Sequence, residues 1–263
     1  MHASNRPAGG VLVNAARLAV GTLTILPAGA VTRVDRRVAG TAMVLAPLAV
    51  IPLALVAAGS GWLAHRAGFP ALLGGLLAVA MLAAGTRALH LDGLADTVDG
   101  LGSGWDRDKA LSVLRRGDVG PMGVTALVLV LGAQAVAMGR LVTSWPAAVT
   151  LAVLICLSRT ALTMACRQGV RPARRDGLGA GVAGTVPRWA VGATWLLAAT
   201  VLSLLAMWRQ DPWWFGLVAA AVVVLAVALL VRRCVRRFGG VTGDVMGASV
   251  EVALTVLVVL AAR

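Results

Sequence analysis

"ALLGGLLAVAMLAAGTRALHLDGLADTVDG", residues 71–100, runs without a charge to Arg87 and then places Asp92, Asp96 and Asp99 within eight residues. The apolar part is continuous and lacks the alternation of a strand, so it reads as a helix long enough to enter a bilayer. From Asp92 onward the stretch is the opposite of a membrane segment. The chain has only 11 acidic residues among 263, so three so close together need a reason. Fold and function both turn on this junction.

Composition agrees with the apolar half. The chain is 59% hydrophobic and 13% charged, with a mean hydropathy of +0.87, well outside the range of a water-soluble domain. A span criterion of about 20 apolar residues selects 38–58, 69–89, 121–143, 146–165, 189–208, 213–231 and 246–262. The expected fold class is therefore all-α: a polytopic integral membrane protein of about seven helices in one domain, 1–263. Gly21, Pro27 and Gly29 break up residues 11–31, which suits a re-entrant or surface-lying amphipathic helix better than a span or a cleaved signal peptide.

The basic residues test this map. With the N-terminus inside, segments 1–37, 87–120, 166–188 and 232–245 hold 19 of the 24 Lys and Arg. That asymmetry obeys the positive-inside rule and places the chain in the cytoplasmic membrane. It accounts for the formal net charge of +13 without nucleic acid, since no basic helix interleaved with aromatics is present. The same inside segments carry nine of the 11 acids, so any chemistry belongs to the cytoplasmic face. Cys156, Cys166 and Cys234 lack metal-ligand spacing and read as reduced, structural thiols. Nothing in the sequence fixes the oligomeric state.

Asp92, Asp96 and Asp99 are spaced i, i+4, i+7 and share one helix face. Their mutual repulsion is relieved by a divalent cation, and hard oxygen donors favour Mg²⁺ or Mn²⁺ over Zn²⁺. The bland reading is a solvated helix end. A second group is "FGGVTGDVMGASVE", residues 238–251: Gly239, Gly240 and Gly243 let a phosphate approach the backbone, and Asp244 opens the last span. Glu251, the sole glutamate, lies inside that span, where an ionised group is costly and marks function by default. It is assigned to support the site from behind, protonated or paired with Arg159. Arg115, Arg116, Arg174 and Arg175 are phosphate-binding candidates, although topology alone also demands inside arginines. Asp118, His90 and Arg159 complete the expected substrate contacts, with an interfacial hydrogen-bonding role as the plainer alternative for His90.

Acids for Mg²⁺, arginines for phosphates and glycines for close approach are the equipment of phosphoryl or nucleotidyl transfer. Beyond that point the residues carry a resemblance. "LHLDGLADTVDG", "RRGDVGPMG" (115–123) and "GGVTGDVMGA" (239–248), in this order along nearly the whole chain, resemble the motifs of the cobalamin synthase family, the adenosylcobinamide-GDP ribazoletransferases. The resemblance implies a Mg²⁺-dependent membrane enzyme that joins adenosylcobinamide-GDP to α-ribazole or its 5′-phosphate and releases GMP. It implies that Asp92, Asp96, Asp99 and Asp244 are metal-binding, and Asp99 or Asp244 catalytic. Two departures are visible. "RRGDVGPMG" stands where a run like "KDSRIGTFG" is common, so acid and base exchange order at Arg116 and Asp118. "TLTILPAGA" also lacks the Arg of the usual "FLTRLPVP"-like run.

Two other classes fit less well. A CDP-alcohol phosphatidyltransferase also opens its acidic motif with "DG", but Asp96 stands where that family has an Arg, and no second acidic pair comes after it. A transporter would use Glu251 and Arg159 as an ion path, yet paired repeats are missing and the acids gather at one face.

Overall fold

The computed structural model describes residues 10–104, 106–114 and 117–263. Among them every regular element is helical, and the only strand-like pairings are the isolated bridges Arg167–Val186 and Pro172–Val241. Six helical segments are long and apolar enough to cross a membrane, or seven if a bent pair counts as one. This is the expected polytopic all-α architecture.

α1 (Val11–Leu23) is too short to cross. The chain after it doubles back: Asn14 Oδ1 accepts from the amide and hydroxyl of Thr32 at 2.9 and 3.1 Å. Asp35 then caps α2 (Arg36–Ala49), accepting from the Val38 amide at 2.9 Å. α2 and α3 (Ile51–Arg66) form one 31-residue apolar rod whose seam at Val50 lies between Pro47 and Pro52. A proline lacks the N–H that a continuous helix needs, so the seam falls where two of them fall.

α4 (Ala71–Gly85) returns and stops earlier than the expected 69–89. Arg87 (φ 56°) and Ala88 (φ 54°) are left-handed, and α5 (Leu89–Gly102) leaves at 90° to α4. Two successive non-glycine residues in this region are unusual and need outside support. α1 and the turn after it supply that support: Ile25 N donates to Gly85 O at 2.9 Å, and the Arg87 guanidinium donates to Gly21 O at 3.2 Å. The acidic stripe therefore lies on a helix running across the end of the bundle and not along it.

α6 (Arg107–Val113) is a short helix at the same end. α7 (Pro121–Leu141) and α8 (Trp145–Ser158) come next, the latter extended by α9 (Ala161–Ala165). α10 (Leu178–Val182) sits in the next connection, and α11 (Arg188–Trp208), α12 (Trp214–Phe238) and α13 (Gly243–Ala261) complete the chain. α13 and the α8–α9 rod are the most enclosed segments, while α7, α11 and α12 turn large apolar side chains outward. Burying the last helix explains why Glu251 and Ser249 lie in the core.

The connections 24–35, 86–120, 166–187 and 239–242 meet at one end. Ala173 N donates to Val241 O and Val241 N to Arg171 O, both at 2.9 Å. Arg36 donates to Gly184 O at 2.8 Å, and Arg174 to Leu111 O at 3.0 Å. The basic segments that sequence assigned to one side are thus stitched into one polar cap. At the far end Arg263 pairs with Asp211 at 2.9 Å, and Arg209 donates to Ala261 O at 2.8 Å.

Candidate active site

α5 and α13 cross beneath the cap, and glycine sets how closely. A Cβ on Gly93 would stand 2.7 Å from Asp244 O, and one on Gly247 would stand 3.1 Å from the His90 Cα. Only hydrogen fits at the first position. The crossing brings the α5 stripe to the N-terminus of α13, where the Thr242 hydroxyl caps the helix and donates to Asp244 Oδ2 at 3.0 Å.

Beside this crossing opens a cavity of about 210 Å³, walled by Leu89, His90, Arg174, Asp176, Thr242, Gly243 and Asp244 and by apolar residues of α1, α2, α10 and α13. On α5 beside it, Asp92 is exposed and Asp96 half-buried. Burial first, and then the charges of Asp92, Asp244 and Asp99, push the Asp96 carboxyl up to about 7, against the opposing pull of Arg174. Crowded carboxylates with one guanidinium nearby have the charge imbalance that a hard divalent cation corrects. A larger cavity of about 520 Å³ between α2, α3, α8 and α11 carries no charged side chain and has no bearing on this chemistry.

The expected carboxylate set divides. Asp92, Asp96 and Asp244 interact. Asp99 does a different job: its Oδ2 accepts from the Gly120 amide at 2.7 Å and its Oδ1 from the Gly123 amide at 2.8 Å. Those two bonds tie α5 to the start of α7, so Asp99 is occupied as a structural anchor. Among the described residues no three His, Cys, Asp or Glu side chains converge into a ready metal cage. The acids form an open set, the kind Mg²⁺ uses when waters and substrate phosphates complete its shell.

The expected substrate contacts also sort themselves. Arg174 and Gly243 line the cavity. Arg175 and Asp118 lie outside its wall, and Arg115 and Arg116 lie outside the described residues. Gly239 (φ 79°) terminates α12, with the Arg107 guanidinium laid against it. A Cβ on Gly240 would come within 2.4 Å of Arg171 O, so the 171–173 pairing requires glycine there. Arg159 and Glu251 are buried beneath the cavity. Their charges interact, but no ion pair within 4 Å joins them, so of the two expected states, protonated or paired, direct pairing is not the one seen. Glu251 Oε2 instead accepts from Gln134 Nε2 at 2.8 Å, and Arg159 donates to Ile155 O and Ser158 Oγ. Sequence reading missed Gln134 and Thr242. A lone amide inside an apolar span and a Thr just before "GDV" were the available signals.

The fold and the site together define a polytopic membrane enzyme whose acidic site lies at one end of its helix bundle. Comparison with known proteins narrows the class. The family described as Cobalamin-5-phosphate synthase matches residues 15–262. A Nocardioides protein named adenosylcobinamide-GDP ribazoletransferase is 50% identical over 90% of this chain and 93% of its own length. Namesakes from Frankia casuarinae (38%, over 92% and 93%) and Bradyrhizobium diazoefficiens (34%, over 94% and 92%) are also similar. No solved structure matches. The chain belongs to the cobalamin-5-phosphate synthase family, a family of enzymes of cobalamin synthesis.

Proposed function

We propose that this chain joins adenosylcobinamide-GDP to α-ribazole, or to its 5′-phosphate, and releases GMP. The product is adenosylcobalamin or its 5′-phosphate. The observation that carries the reading is the electrostatic meeting of Asp92, Asp96, Asp244 and Arg174, the last two on the wall of one cavity, in a chain so similar to the ribazoletransferases.

The reaction is a displacement at phosphorus. The ribazole 3′-hydroxyl oxygen bonds to the cobinamide-bearing phosphorus, the bond from that phosphorus to the bridging oxygen breaks, and GMP departs with the electron pair. Asp244 is placed to accept the hydroxyl proton, because it lines the cavity and only its Oδ2 is engaged, by Thr242. Asp99 does not line that cavity, and its carboxylate already holds two backbone amides. Arg174 offers a planar fork of donors to a phosphate. Asp92 and Asp96 would hold Mg²⁺, which when bound neutralises charge on the pyrophosphate. The cavity is below the usual size of a whole small-molecule site, so it takes part of the ligand while the corrinoid stays outside. The basic excess of the cap supports a position on the cytoplasmic side of the cell membrane.

Purified protein given adenosylcobinamide-GDP, α-ribazole and Mg²⁺ should form GMP and the joined corrinoid in equal amounts, as followed by chromatography. Absence of GMP from active-site-intact protein would sink the reading. Label moving instead from CDP-diacylglycerol into lipid would revive the phosphatidyltransferase alternative.

A further inference from the structure

Beneath the cavity lies a second, much smaller void of about 10 Å³, between α4, α5, α7, α8 and α13. Its polar lining is His90, Gln134, Arg159, Glu251 and Thr86, all buried. Thr86 is spent on Leu82 O, and Gln134 on Glu251 and Thr255. Among the described residues three buried atoms here have no partner: His90 Nδ1, His90 Nε2 and Arg159 Nε. An unpaired polar atom in a dry core costs about 1–3 kcal/mol, and a void of this size with several polar walls suits a single water. His90 is the one residue that lines both this void and the 210 Å³ active-site cavity.

We propose that the void is a single-water site through which Arg159 and Glu251 fix the ring of His90, and with it the part of the active-site cavity wall that His90 forms. A neutral imidazole has one donor and one acceptor nitrogen. A water held by Arg159 and Glu251 engages one of them and so sets the tautomer and the ring plane. Gln134 holds Glu251 from the far side. Glu251, Arg159 and Gln134 are positioning residues, and His90 is the one of the four that belongs to the active-site cavity wall. The inference rests on the ribazoletransferase reading for its ligand, but its structural half is independent of that reading.

Two variants test it without altering the cavity wall. Ala83 lines the void from α4, so Ala83→Val displaces the water and leaves every polar group in place. Ala84, exposed on the same helix, gives Ala84→Val as the control. Glu251→Gln changes the water's partner and keeps the shape. The protein has three histidines, so ¹⁵N-imidazole spectra of labelled protein in nanodiscs resolve His90 once His90→Asn assigns it. Ala83→Val and Glu251→Gln should both move the His90 signals, and Ala84→Val should not. With adenosylcobinamide-GDP, both should raise KM by about five- to tenfold, the equivalent of one hydrogen bond, with kcat changed far less. Unmoved His90 signals in Ala83→Val overturn the water site, whatever the kinetics. Moved signals with KM unchanged overturn the positioning role. Should Ala83→Val not accumulate, Ala83→Ser, which places a hydroxyl in the void, carries the same two readouts. A wild-type protein with no turnover fails the proposed function and leaves the spectroscopic result standing.

Discussion

Asp99 and Asp244 look alike in sequence, each an aspartate inside a glycine-flanked motif, yet their surroundings give them different tasks. Asp99 receives two amide bonds and is buried, whereas Asp244 opens onto the cavity. Asp99→Asn puts an NH₂ group against an amide donor and loses charge-assisted bonds, at about 2–4 kcal/mol. It should lower the melting temperature and the yield together. Asp244→Asn should keep both and lose at least about a hundredfold in kcat, the usual scale of a lost general base. If the two variants behaved alike in melting and turnover, this division of labour would be wrong. Asp96 allows a sharper experiment. Burial and its acidic neighbours raise its pKa, so without divalent cation it is a source of strain in the folded state. Asp96→Asn should therefore melt higher than the wild type in EDTA, yet gain less from added Mg²⁺, since a ligand stabilises only the state that binds it. Equal Mg²⁺-induced shifts in both proteins would remove Asp96 from the metal site.

The decisive element is the α5–α13 crossing. The sequence shows two acidic motifs about 150 residues apart, and nothing in their spacing says that Gly93 rests on Asp244 O. Periodicity within each helix was legible, because i, i+4, i+7 is a local property. Contact between helices was not, because small residues permit many crossings and only packing chooses one. The same limit explains Glu251. Its cost inside a span was readable, while its partner Gln134, one amide in an apolar helix, gave no period or charge to follow. The helix-ending and packing roles of Gly239 and Gly240 were illegible for a related reason: a glycine pair suits a phosphate loop and a helix terminator equally well. The crossing makes a prediction of its own. Gly93→Ala drives a methyl into backbone, which cannot retreat as a flexible side chain would. Overpacking of this kind costs about 1–3 kcal/mol and should separate Asp244 from the stripe, so turnover should fall far more than melting temperature. Gly132→Ala, where an added Cβ meets nothing within 4 Å, should be silent in both assays.

At the scale of the whole molecule, the charge asymmetry and the cap agree on which ends of the helices belong together. Segments 1–37, 87–120, 166–188 and 232–245 share the basic excess, and the bonds Arg36–Gly184, Arg174–Leu111 and Ala173–Val241 join them. α4 is the weak point of the count, because it has 15 residues, about 22 Å of helix, against a hydrocarbon core of about 30 Å. It is nevertheless needed as a crossing. α3 ends at Arg66 at the far end, and α5 begins in the cap, so the chain has to return between them. Its shortness is what the 90° bend explains: α4 delivers the chain just below the cap, and α5 then carries the acids across it. With seven crossings, and the basic cap inside as proposed above, the N-terminus is expected in the cytoplasm and the C-terminus outside. A reporter active only in the cytoplasm, fused after Arg263, should be silent, and one fused within the 103–106 connection should be active. An active reporter after Arg263 with a silent one at 103–106 would mean an inverted molecule or, with the N-terminus inside, an even number of crossings. In the latter case α4 would be a re-entrant element, and the acidic cavity would have to be reached from a different side of the membrane than the one that holds its nucleotide substrate.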